Sequence, residues 1–93
     1  MKVNQFYNKN QFVITEGSKR VFQSYESTIA INDNGKITLG RHWDYSKTTS
    51  KHLYLFINEY CYFDDFNIEM KNKKQWIENK IKTGEIKYNE DLV

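Results

Sequence analysis

Residues Ser27 to Gly40, STIAINDNGKITLG, decide the fold, because two β-rich runs, STIAI and KITL, stand on either side of NDNG. Both central positions of a type I′ turn need positive φ, which Asn34 and Gly35 tolerate at little cost. The flanks alternate in β-branched residues, so the stretch reads as an antiparallel hairpin with Asn34-Gly35 at its tip. The next signal toward the N-terminus has the same form: QFVIT (Gln11 to Thr15) and VFQSY (Val21 to Tyr25) flank Glu16-Gly17-Ser18. Together these runs predict a meander over about residues 11–40. Along its middle segment Val21, Tyr25, Ile29 and Ile31 share odd parity, and Phe22, Ser24, Glu26 and Thr28 share even parity. Side chains alternate between faces of a strand, so the odd face is expected to be the apolar one that needs a cover.

Toward the C-terminus the period changes. Leu53, Phe56, Ile57 and Tyr60 recur at three-and-four spacing and predict a helix over about residues 46–61, with Asp44 or Ser46 as the N-cap that accepts from an orphan backbone N–H. Trp76, Ile77 and Ile81 predict a second, shorter helix over about 72–83. Asn72 with Gln75 gives it a relaxed capping box, and Gly84 after Lys80 and Lys82 gives it a stop. In the link CYFDDFNI, Tyr62, Phe63 and Phe66 are expected to fold back on the core and leave Asp64 and Asp65 in water. The tail EIKYNEDLV alternates briefly at Ile86 and Tyr88, which leaves docking and fraying both open. The fold class is therefore α+β: a small antiparallel meander of three to four strands, then two helices packed on one face, as a single domain over 1–93.

Composition bounds what such a domain does. A chain of 93 residues suits one core. Its 16% aromatic content lets large rings fill that core. Fourteen Lys and Arg against twelve Asp and Glu give a formal net charge of only +2, well short of a strongly basic nucleic-acid domain. Cys61 is the single cysteine, so no intramolecular disulfide forms and no cysteine-rich zinc site exists. The polar start MKVNQFYNKNQF lacks the apolar run of a signal peptide, and nothing approaches the length of a membrane span. The expected setting is cytoplasmic. Absent proline and heavy use of Lys, Asn, Ile and Tyr point to an A/T-rich coding sequence.

Catalytic constellations are missing at the level of motif. His42 and His52 lie ten apart with Cys61 nearby, without the local spacing of a zinc site, so no metal is expected. Cys61 follows directly on an apolar stripe, where a thiol is normally buried and inert. Adjacent Asp64 and Asp65 do not converge as a general acid and base. The four glycines stand singly, which excludes a glycine-rich phosphate loop. The expectation is a non-enzymatic protein without a cofactor.

Binding chemistry is concentrated in RHWDYSKTTSKHLY, Arg41 to Tyr54. Basic side chains alternate there with rings, which suits a protein hot spot or a single-stranded nucleic acid. Arg41, His42, Tyr45, Lys47, Lys51 and Tyr54 are the candidate contact residues. Against this stands a plainer reading, in which Trp43 and Tyr45 lock the corner into the core and the lysines solvate the helix. The lysines of the second helix, Lys71, Lys73, Lys74, Lys80 and Lys82, read as a solvated face.

FQSYESTIA (Phe22 to Ala30), NGKITLG (Asn34 to Gly40) and WDYSKTTSKHLYLFI (Trp43 to Ile57) together resemble a family of short proteins encoded by phages and other mobile elements of Gram-positive bacteria. In that family an FQSY-type strand, a hairpin and a WDYS-(K/R)-TT helix start recur in this order. Similar segments occur in anti-CRISPR proteins, small inhibitors that bind a Cas effector and block nucleic-acid loading or cleavage. The resemblance covers about half of the chain and implies a bacterial cytoplasm as the setting. It implies as partner a Cas effector nuclease such as Cas9, or its guide-RNA complex. The alternative is a nucleic-acid-binding accessory or regulatory domain that uses the 41–54 surface. A structural or oligomer-forming phage component is a third reading.

Overall fold

A computed structural model describes residues 1–93. Six strands and two helices run β1 (Lys2–Phe6), β2 (Asn8–Glu16), β3 (Lys19–Ser24), β4 (Ser27–Asp33), β5 (Lys36–Gly40), α1 (Lys47–Tyr60), α2 (Met70–Thr83) and β6 (Ile86–Asn89). The strands form one sheet in chain order, antiparallel throughout except for the parallel pair β5 and β6. The α+β class and the two helices follow the sequence reading, whereas the meander of three to four strands undercounts the sheet. β1 was hidden because four of its five residues are exposed on an edge and leave no apolar alternation. The tail docks as β6, with Ile86 fully buried beside Ile37.

Four tight turns build the meander, the first at Tyr7 (φ 65°) between β1 and β2. Asn34 and Gly35 sit at φ 52° and 91°, the two positive values that a type I′ turn requires. Glu16 pairs with Lys19 across Gly17-Ser18, and Ser24 pairs with Ser27 across Tyr25-Glu26. Tyr25 itself is forced to φ 55°.

That last turn, together with a bulge in β4, inverts the expected parity. Phe22 opposes Ala30 and Gln23 opposes Thr28, so Ile29 is an extra residue. Two residues then face one across the ladder and both turn toward the core. Phe22, Ser24, Ile29 and Ala30 are buried, and Val21 and Ile31 lie on the opposite face. The covered face is therefore built on Val13, Phe22, Ala30 and Leu39, neighbours in one cross-strand row.

α1 closes over β3 and β4 through its Leu53, Phe56 and Ile57 stripe. Phe56 stacks on Phe22 at 5.7 Å between ring centroids, and Phe6 meets Phe22 edge-on at 5.8 Å. The cap is Ser46, whose Oγ accepts from the Thr49 N–H at 3.1 Å. α2 begins at Met70, two residues earlier than expected. Its N-cap is Glu69 with no side-chain hydrogen bond, so the Asn72 and Gln75 capping box does not form. Gly84 ends it at φ 84° in the left-handed region. The link between the helices docks as expected at Phe66, fully buried, and at Phe63, half-buried against Trp76 at 4.9 Å. Tyr62 departs from the expectation at 96% exposure. No helix is long and apolar enough to cross a membrane.

Candidate functional site

The strand-to-helix corner separates the residues that the sequence grouped together. Trp43 is buried in the core, as the plainer reading had it, but Tyr45 is 78% exposed and takes no part in the core. His42 and Tyr45 meet edge-on at 5.6 Å and line a depression floored by Ser24, Ile29 and Thr49. Arg41 is exposed and lines neither this depression nor the next, while its backbone N–H donates to the Leu92 carbonyl at 2.9 Å. Lys47, Lys51 and Tyr54 line a second groove of about 590 Å³ between the first turns of α1 and the start of α2. Five of the six candidates thus occupy two neighbouring surfaces, and Arg41 lies outside both.

In the second groove the chemistry is coherent. Lys47 and Lys51 lie one helical turn apart and are exposed, and neither is held in an ion pair. Ser46 and Ser50 add hydroxyls, Tyr54 a half-buried phenol, and Met70 an apolar wall. Desolvation raises the Tyr54 pKa above its usual value, with Asp44 acting in the same direction and Lys74 and Ser50 opposing it. The phenol therefore remains a hydrogen-bond donor at neutral pH. Lys71 supplies a third ammonium, tied loosely to exposed Glu69 at 3.4 Å. Lys74 pairs with Asp44 at 3.5 Å and pins α2 to the corner.

Lys71, Met70 and Lys74 were missed because the lysines of α2 read as a uniform solvated face. They do not behave alike. Lys73 lies 3.8 Å over the Phe66 ring and donates to the Phe66 carbonyl at 2.8 Å, and burial lowers its pKa. Lys80 bridges Asp65 at 3.5 Å and Glu85 at 2.7 Å. The signal lay in the aromatic link: a buried Phe66 brings the lysines that follow it against α1.

Beneath and beside the corner, several polar groups are committed to structure. His52 is buried, with Nδ1 at 2.7 Å from the Thr48 carbonyl. The Ser24 and Thr49 hydroxyls bond at 3.1 Å beneath the corner. Burial pushes the Cys61 thiol up to about 12. Asp65 is held below the usual carboxylate range, first by the Trp76 indole N–H and further by Lys80. That indole N–H is buried and meets no acceptor at full hydrogen-bond geometry. No group of three or more His, Cys, Asp or Glu side chains converges in a way that would hold a metal ion.

The arrangement at the α1/α2 groove can bind carboxylates or phosphates: the ammonium groups of Lys47, Lys51 and Lys71, the Ser50 hydroxyl and the Tyr54 phenol stand beside the apolar Met70, and the one carboxylate in the lining, Asp44, is paired with Lys74. Neither the curated proteins nor the solved structures contain a match to this chain. Residues 1–79, from β1 into α2, match a family of unknown function (DUF8033), and the chain belongs to that family.

Proposed function

We propose that this protein is a non-enzymatic inhibitor that acts by binding, and that the α1/α2 groove is its contact surface. The observation that carries this reading is the pair Lys47 and Lys51, two free ammonium groups one turn apart beside the Tyr54 phenol. The groove fits an acidic segment of a protein or protein–RNA complex, since an ammonium makes charge-assisted hydrogen bonds to carboxylates and phosphates that are roughly twice as strong as neutral ones. The resemblance of the WDYSKTTSKHLYLFI segment to anti-CRISPR proteins supplies the partner: a Cas effector such as Cas9, or its guide-RNA complex, in the cytoplasm of a bacterial host.

The test is inhibition of Cas cleavage in vitro with guide and target held constant. Lys47→Ala with Lys51→Ala, and Lys51→Ala with Tyr54→Ala, should each weaken inhibition by roughly thirtyfold, the loss expected of about 2 kcal/mol at a hot spot. Arg41→Ala, outside the groove, should leave inhibition unchanged. Full inhibition by both double variants would remove the groove from the reading, and no inhibition by the wild-type chain would remove the Cas target. Direct binding to free nucleic acid is read separately, through a loss of about 0.9 log units of affinity per log unit of salt for each duplex phosphate contacted.

A further inference from the structure

The helices cover one face of the sheet, and the other face is open except at its β5 end, where Leu92 lies beside Gly40 and lines a depression with Ile31 and Thr38. Cross-strand register places Val3, Ile14, Val21, Ile31, Thr38 and Lys87 in one row on that outer face. The next row toward one end of the strands reads Glu16, Lys19, Asp33, Lys36. Arg20 and Asn32, the intervening residues, reach back to Tyr60 of α1, which fixes the orientation of both rows. Val3 is exposed and Ile14, Val21 and Ile31 are half-buried in this aligned aliphatic row, with no helix over it, and a row of alternating charge, each charge beside its opposite across the strands, bounds it on one side.

We propose that two copies of this chain associate through these outer faces, about a two-fold axis parallel to the strands that passes between β3 and β4. That operation reverses strand order and preserves position along the strand. Lys19 then faces Asp33 of the second copy, and Glu16 faces its Lys36, so all four charges meet their opposites. Val21 packs on Ile31 of the second copy, and Ile14 on its Thr38. A two-fold axis along the row itself would set Glu16 over Glu16 and Lys19 over Lys19, and like-charge juxtaposition excludes it. The surface is thus self-complementary under one operation and self-repulsive under the other, as an isologous interface requires.

Size sets the strength. Six strands at about 4.8 Å spacing and about 17 Å of strand give a flat area near 500 Å² per copy, below the ~800 Å² of a standard interface. The dimer is therefore reversible and depends on concentration. This surface is remote from the α1/α2 groove, and the inference stands apart from the inhibitor reading.

Sedimentation equilibrium on the full chain, from about 1 to 500 μM at low salt, tests it. The wild-type chain should pass from monomer to dimer over that range. Lys19→Glu confronts Asp33 twice, once on each side of the axis, and should weaken the dimer by roughly tenfold or more. Adding Asp33→Lys to Lys19→Glu should restore it, and Val21→Asp should abolish it. Thermal melts at the lowest concentration establish that each variant folds; should Val21→Asp fail to fold, the reversal and rescue at 19 and 33 decide alone. A wild-type chain that stays monomeric throughout overturns the proposal. So does a dimer indifferent to Lys19→Glu.

Discussion

A β-carbon on Gly40 would lie 2.6 Å from the Thr28 carbonyl oxygen and 2.7 Å from that of Leu92, both backbone atoms that cannot swing aside. This close approach lets the C-terminal segment lie against β5, where the Leu92 carbonyl receives the Arg41 N–H. Gly40→Ala is expected to cost about 2 kcal/mol by overpacking, a fall of roughly 10 °C in melting temperature for a domain of this size. Gln11 is the opposite case, a fully buried amide with neither its oxygen nor its nitrogen bonded. An unpaired buried amide costs about 1–3 kcal/mol, so Gln11→Met should raise stability in urea denaturation, and a loss would show that an ordered water satisfies the amide. Cys61 makes a prediction about pH. Burial raises its folded pKa to about 12 from an unfolded value near 8.5, so its contribution is fully present below pH 8.5. As pH rises toward 12 the unfolded chain loses the proton first, and stability should decline by up to about 1.4 kcal/mol per unit. Cys61→Ala should flatten that part of the pH profile.

At the scale of elements, the two helices start differently. α1 is capped by Ser46, and Ser46→Ala should cost about 1 kcal/mol. α2 has no side-chain cap at Glu69, so Glu69→Asp, which keeps the charge and shortens the reach, should gain about 0.5–1 kcal/mol in a thermal melt. The contrast explains what was legible. Turns that need positive φ announced themselves through Asn34-Gly35 and Gly17, because few residues tolerate that conformation. α1 announced itself through Leu53, Phe56 and Ile57, since a buried stripe must recur every three or four residues. Tyr25 gave no such signal, because its φ of 55° is imposed by the pairing of β3 with β4. The Ile29 bulge was equally silent, and with it went the assignment of Val21 and Ile31 to the covered face. Of the site, Lys47, Lys51 and Tyr54 were legible as one turn-spaced set on α1. Lys71 was not, since its place depends on Phe66 and Trp76 meeting at 4.6 Å, a contact between residues of no shared period.

For the molecule as a whole, β6 is the element on which both halves depend. It pairs with β5 in parallel, buries Ile86 completely and packs against α2, and the parallel ladder exists only because α1 and α2 carry the chain back across the sheet. α2 is held besides by Ile77, fully buried in the core with Ile81 packed against it, by the Trp76 cluster with Phe63 and Phe66, by the Lys73 contact with Phe66, and by the Lys74 bridge to Asp44. Of these the exposed ion pair contributes at most about 1 kcal/mol. Ile86→Ala removes a fully buried side chain and should cost about 2–5 kcal/mol, a large share of the roughly 5–15 kcal/mol that stabilises a small domain. Truncation after Glu85 removes the strand as well, and its circular dichroism melt should fall by well over 10 °C or lose cooperativity. The groove should respond too, because Lys71 and Met70 are placed only by α2. Under conditions where Ile86→Ala remains folded, partner binding should weaken while Lys47, Lys51 and Tyr54 stay in position on α1. A variant that binds at full strength would show that the α1 residues suffice and that α2 is no wall of the site.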